Sequence, residues 1–227
     1  MEYNKQYFDS GKEASKGKMS SFLKILPRGK VAGSSQKHLK LYLMDRWHPF
    51  RKCKKVLDIG CGEGEFLKLN PFNIQVYGAE VSKGLVTKLK KEGIKVSLED
   101  LNKRLSYKKD SFDGVACFHV LEHIFDYSNA IKEIKRVLNN NGTLVIAVPS
   151  LKHFYDDYTH VKFFTQKSLY RLLRDNGFVD IKIKNGISQS RFIAAAFFFF
   201  PRARYMFEKL LGEISPFEIV AVCKNQK

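Results

Sequence analysis

Val56-Leu57-Asp58-Ile59-Gly60-Cys61-Gly62-Glu63-Gly64 is the stretch on which the reading of this chain turns. Val56–Ile59 is a short apolar run and reads as a buried strand. The alternating glycines that follow let the backbone turn tightly and approach a ligand closely. The start of the next helix directs N–H groups into the same space. About twenty residues on, Glu80 closes a second strand, where a carboxylate can accept both hydroxyls of a ribose. Strand, glycine loop, helix and carboxylate in this order make a generic tight turn a poor explanation. A dinucleotide site reads G-x-G-x-x-G, shaped to admit a pyrophosphate. This loop reads Asp-x-Gly-x-Gly-x-Gly, and an acid ahead of the first glycine suits a ligand with a cationic end.

Outward from this loop the chain alternates between strands and helices. A helix runs to about Leu69 and stops at Asn70-Pro71. Ile74–Glu80 reads as a strand, Ser82–Lys91 as a helix closed by Gly93, and Ile94–Leu98 as a third strand. Phe112–Phe118 is a fourth, Asn129–Leu138 a helix, and Gly142–Val148 a fifth strand. Thr165–Asn176 is helical, with Thr165 as N-cap and Gly177 as the stop. Val179–Lys184 and Glu218–Cys223 are two late strands. Regular alternation of this kind gives βαβ units and a mostly parallel sheet. The two late strands suggest an antiparallel hairpin at one edge. The expected fold is therefore α/β: a Rossmann-like, doubly wound sheet of seven strands with helices on both faces. Residues 1–50 read as a basic segment plus a helix over Gln36–Trp47, part of or capping a single catalytic domain over residues 51–227.

Asp58–Gly64 resembles motif I of class I, S-adenosylmethionine-dependent methyltransferases. Ser111-Phe112-Asp113-Gly114-Val115 through His119-Val120-Leu121-Glu122-His123 is similar to the "FDxV…vLEH" signature of the type 11 and type 23 methyltransferase domains. Leu138 through Pro149 looks like their "LxxGGxLxIxxP" segment, with Asn140-Asn141-Gly142 in place of Pro-Gly-Gly. Glu99 stands where glycine is common. The resemblance covers about Val56 to Phe178. It implies S-adenosylmethionine as cofactor, leaving as S-adenosylhomocysteine. The implied cofactor contacts are Asp58, Gly60, Cys61, Gly62 and Gly64 in the loop, Glu80 and Val81 at the ribose, Asp100 and Leu101 at the adenine, and Phe118 at the end of the fourth strand.

Methyl transfer from a sulfonium is an in-line displacement, in which much of the catalysis comes from alignment. A hydroxyl or amine acceptor can also need a base. His119, at the end of the fourth strand, faces the crevice where ligands bind in open α/β sheets. It reads either as base or acceptor-orienting group, or as a wall of the cofactor pocket. Glu122 and His123 fall on the following helix, where His123 suits a structural brace. Adjacent helix positions do not share a face, so no metal site is expected there. Asp156-Asp157-Tyr158-Thr159-His160 resembles the "D-x-T-H-x-x-x-F-T" stretch of the same branch, with Asp157 read as a loop brace and His160 as a site residue.

The chain of 227 residues carries 40 Lys+Arg against 23 Asp+Glu, a net charge of +17. Such a field attracts polyanions, and it equally describes a surface of solvated lysines. The four scattered cysteines form no C-x-x-C pair, which argues against a zinc site or a disulfide framework and fits a reducing cytosol. The opening residues lack the apolar core of a secretory signal, and no apolar run is long enough to span a bilayer. Arg191 through Phe207 (RFIAAAFFFFPRARYMF) is apolar and flanked by arginines. It reads as core packing, or as a surface that dips into a membrane interface or covers a greasy substrate. Together with the resemblance, which implies an enzyme, these features make a cytoplasmic location the expectation, peripheral to the membrane in the second case. The resemblance implies an acceptor that is a small molecule, a lipid-linked group or a glycan. RNA is the alternative, motivated by charge but without a recognisable RNA-binding module. A non-catalytic cofactor-binding protein is a third reading.

Overall fold

A computed structural model of the chain describes residues 49–70, 74–186 and 218–227. The helix expected over residues 36–47 and the apolar stretch over residues 191–207 lie outside the described residues. The elements are β1 (Lys55–Ile59), α1 (Glu65–Leu69), β2 (Gln75–Glu80), α2 (Lys83–Lys91), β3 (Val96–Leu98), β4 (Phe112–Phe118), α3 (Tyr127–Val137), β5 (Leu138–Pro149), α4 (Leu151–Phe154), α5 (Gln166–Asp175), β6 (Phe178–Asn185) and β7 (Glu218–Asn225). The seven strands form one sheet in the order β3-β2-β1-β4-β5-β7-β6. β3 to β5 pair in parallel, and β7 runs antiparallel to both β5 and β6.

The central strands read as unbroken apolar runs because both faces are covered. Leu57 and Ile59 of β1 face one core with Val115, Cys117, Leu144 and Ile146. Val56 faces the other, with Ala116, Val145, Ala147 and Val220. On the first face α3 lays down Ala130, Ile131, Ile134 and Val137, all fully buried, and α5 adds Leu169 and Leu173. Each of the Ile, Val and Leu side chains among these contributes about 1.5–3 kcal/mol of burial.

The helix starts follow their caps. Asp126 accepts from Asn129 N (3.0 Å), so α3 begins at Tyr127, two residues before the sequence pattern suggested. Thr165 and Ser168 form a reciprocal capping box that opens α5. β5 starts at Leu138, ahead of the expected Gly142, because Leu138 pairs with Phe112 across a register irregularity and Asn141 takes a positive φ of 61°. Strand order reverses between β1 and β4, which places the ligand crevice beyond their C-terminal ends.

Candidate functional site

Asp58, the penultimate residue of β1, is fully buried just ahead of the glycine loop. Gly60 N and Cys61 N both donate to Ala79 O (2.8 and 3.2 Å), tying the glycine loop to β2. The Glu80 carboxylate, almost fully buried, completes the tie: Oε2 accepts from Gly62 N (2.8 Å) and Oε1 from Ser82 N (2.9 Å). A methyl group built on Gly62 would meet no atom within 4 Å, and its φ is +55°. The loop thus presents an open, left-handed cradle beside a carboxylate. That fits a cofactor with a ribose and a cationic end.

The other residues expected around the cofactor divide into two groups. Val81 is exposed beside Glu80, and Asp100 holds its own turn by accepting from Asn102 N and Nδ2, both at 3.0 Å. Cys61, Leu101 and Phe118 instead bury their side chains in core clusters, Phe118 with Phe50 and Phe66. At these three positions the main chain is what a cofactor can meet.

His119 follows β4 with a positive φ of 54°, a conformation that costs a non-glycine residue about 1 kcal/mol and marks positions held for a purpose. Its N–H donates to Ala147 O at 2.9 Å. Its ring lies between two fully buried carboxylates: Nε2 is 2.8 Å from Glu218 Oε2, and Nδ1 is 3.3 Å from Glu122 Oε1. Burial alone would depress this imidazole. Glu122 and Glu218 overcome that and push it up to about 10, so the ring carries its proton at neutral pH. Burial in turn raises the Glu218 carboxyl, against the pull of its bond to His119. Sequence reasoning missed Glu218, whose only local signal is an acid opening an otherwise apolar strand.

Glu122 and His123 sit on a separate 3₁₀ turn, Leu121–His123, rather than on α3. The segment after α4 is docked onto that turn, since Val161 N and Lys162 N both donate to Glu122 O (2.8 and 3.2 Å). This docking places His160 beside His123, with ring centroids 4.8 Å apart. His160 Nδ1 meets Phe154 O at 2.6 Å, and its Nε2 lies 4.0 Å from Glu122 Oε1. Asp157 braces the loop, its Oδ1 accepting from both Thr159 N (2.8 Å) and Thr159 Oγ1 (2.7 Å). Burial works against that carboxyl, and the two Thr159 bonds hold it below its ordinary range. The two segments also expose aromatic side chains: Phe125 is 68% exposed, Tyr155 77% and Tyr158 88%.

Two uncharacterized proteins of Methanocaldococcus jannaschii are similar to this chain, 38% identical over 93 residues and 32% identical over 137. These matches take in 41% and 56% of this chain, and 40% and 65% of the relatives' own lengths. A probable S-adenosylmethionine-dependent methyltransferase of Mycobacterium tuberculosis is 28% identical over 154 residues, covering 64% of this chain and 56% of that protein. Probable tRNA methyltransferase 9B of Mus musculus is 34% identical over 96 residues, 41% of this chain and 21% of that one. In fold the chain is similar to a SAM-dependent methyltransferase from Archaeoglobus fulgidus, with a TM-score of 0.64 at 23% identity over 84% of this chain and 94% of that one. It is also similar to phosphoethanolamine N-methyltransferase 2 of Haemonchus contortus in complex with S-adenosyl-L-methionine, with a TM-score of 0.63 at 18% identity over 84% and 53% of the two chains. Residues 32–183 match the methyltransferase domain family designated type 23, and the chain belongs to that family.

Proposed function

We propose that this protein transfers a methyl group to an oxygen or nitrogen atom of a small, lipid-linked or glycan acceptor with an apolar portion. The observation that carries the reading is His119. It is clamped between Glu122 and Glu218 just past the end of β4, and the segments that follow the Leu121–His123 turn and α4 expose Phe125, Tyr155 and Tyr158. The aromatic side chains suit an apolar body, and the charged cluster suits a polar, proton-bearing head.

Asp58 and the main chain of Gly60, Gly62 and Gly64 would hold the cofactor, Glu80 its ribose and Asp100 its adenine. S-adenosylmethionine, when bound, supplies an electrophilic methyl group on a sulfonium. The remaining work falls to this chain's side chains. Because His119 already carries its proton, it acts by orienting the acceptor rather than as the base. The proton that an acceptor O–H or N–H gives up passes to the carboxylate side of the cluster, which holds two acids for one imidazolium. His160, held on the docked loop with its Nε2 4.0 Å from Glu122 Oε1, would support the same cluster. The net charge of +17 and the exposed aromatics support work at an anionic membrane surface. Among the described residues no helix is long and apolar enough to cross a membrane.

The charge and the partial similarity to tRNA methyltransferase 9B favour RNA as the competing acceptor. The test is transfer of radiolabelled methyl groups from S-adenosylmethionine to separated lipid, glycan, small-molecule and RNA fractions of a cell extract. Label in one of the first three, lost in His119→Ala with cofactor affinity kept, is the expected result. Label confined to RNA overturns the acceptor assignment, and no transfer to any fraction favours a binding protein.

A further inference from the structure

The docked loop assembles more than an acceptor wall. Glu122, His123 and His160 each place one ligand atom within 4.8 Å of the others. A metal about 2.0–2.1 Å from each atom requires closures of about an ångström or less. The three come from two segments pinned together by main-chain bonds at Glu122 O, so their meeting does not depend on the side chains alone.

Hydrogen bonds behind the two rings select the ligating nitrogens. Thr159 Oγ1 donates its single proton to Asp157, so toward His123 Nδ1 (3.0 Å) it can only accept. His123 Nδ1 is therefore the protonated nitrogen. His160 Nδ1 meets a carbonyl oxygen, which can only accept, and is protonated for the same reason. In the neutral rings both Nε2 atoms carry lone pairs. A carboxylate–hydroxyl–imidazole relay and a carbonyl–imidazole bond are the outer contacts that orient metal-ligating histidines. The fully buried Glu122 carboxylate has His119 Nδ1 as its nearest charged partner, at 3.3 Å from Oε1. At 4.0 Å its Oε1 is too far from His160 Nε2 for a hydrogen bond, which leaves room for an ion between them.

We propose that Glu122, His123 and His160 bind a first-row divalent cation of the zinc–manganese–iron class, with coordination positions left open. Two imidazoles and one carboxylate are a donor set of that class. The cation would sit beside His119, where it would act as a Lewis acid at the acceptor. That consequence rests on the proposed acceptor site; the binding itself does not.

The test uses the tag-free full chain, stripped with chelator. It is titrated with Zn²⁺ by calorimetry and with Co²⁺ by visible absorption, with S-adenosylmethionine affinity measured on the same samples. The expected result is one cation per chain at micromolar Kd or tighter. His160→Ala should weaken it at least about 100-fold, and Thr159→Val about 10- to 100-fold, with cofactor affinity kept. Thr159→Val leaves all three ligands in place, so it decides the matter if His160→Ala does not fold. No binding, or binding unchanged in the folded variants, overturns the site. Cation binding without methyl transfer to any fraction leaves the site standing and removes the proposed function.

Discussion

His119 Nε2 and Glu218 Oε2 lie 2.8 Å apart although 99 residues separate them in the chain. The pair joins the end of β4 to the start of β7, across the end of β5. Removing one partner of a buried charged pair leaves the other uncompensated. Glu218→Gln should therefore destabilise the fold by about 3 kcal/mol, as read by denaturant unfolding. Turnover should fall further than cofactor affinity, because Glu218 touches His119 and not the glycine loop. An unfolding midpoint equal to that of the parent protein would show the pair to be incidental.

Two neighbouring glycines should behave oppositely. A methyl group on Gly60 would come 2.2 Å from Val120 Cγ2, so Gly60→Ala should cripple folding. At Gly62 the space is open, and Gly62→Ala costs only the left-handed backbone, about 1–2 kcal/mol. Its folded protein should nonetheless lose at least tenfold in S-adenosylmethionine affinity, because the added carbon fills the cradle. Calorimetry on folded Gly62→Ala checks this, and unchanged affinity would move the cofactor elsewhere.

Glu80→Ala removes the ribose-type acid and two main-chain ties, from Gly62 N and Ser82 N. Its cofactor affinity should drop by about 100-fold or more, roughly the worth of two charge-assisted hydrogen bonds. Glu80→Asp, one methylene shorter, should recover part of the loss. Full affinity in Glu80→Ala would sink the assignment of this crevice.

A fourth prediction concerns the loop that carries Asp100. Glu133 Oε2 accepts from Leu105 N, while Arg136 bonds Glu133 and donates to the carbonyls of Leu105 and Tyr107. The Arg136 guanidinium holds the Glu133 carboxyl below the 4.5 of an ordinary glutamate. A depressed carboxylate stabilises the fold above that value and loses its contribution as pH falls through its lower, folded-state value. Glu133→Gln should thus cost roughly 1.5 kcal/mol at pH 7 and progressively less as the pH is lowered below the ordinary glutamate range. Thermal unfolding across an acid-to-neutral pH series tests it; a cost that does not change with pH would show that charge is irrelevant to this clamp.

Much of the fold was legible because its signals are local. Val56–Ile59, the glycines and Glu80 lie within one βαβ unit, and their spacing encodes their meeting. Thr165 shows the same locality at a helix start, where a cap is read within four residues, whereas the sequence pattern passes over the Asp126 cap and starts α3 two residues late. The His119–Glu218 pair was not legible, since spacing along the chain says nothing about β7 inserting between β5 and β6. The cluster of Glu122, His123 and His160 escaped for a different reason. Placed on a regular helix, Glu122 and His123 diverge; the 3₁₀ turn and the docked loop bring both to His160. Pattern reading also cannot tell which face a residue such as Cys61 or Phe118 turns inward, and both proved to be core side chains.

The insertion of β7 between β5 and β6 bears on how the protein comes into being on the ribosome. β7 is made after every other strand described here, yet it occupies an interior place in the sheet. Until it arrives, β5 presents a bare apolar edge and β6 has no partner, the condition in which nascent chains stick to one another. His119 meanwhile lacks its Glu218 counter-charge. Synthesis of this strand therefore sets the moment at which the sheet closes and the chain leaves its aggregation-prone phase, and chaperone demand should fall sharply there.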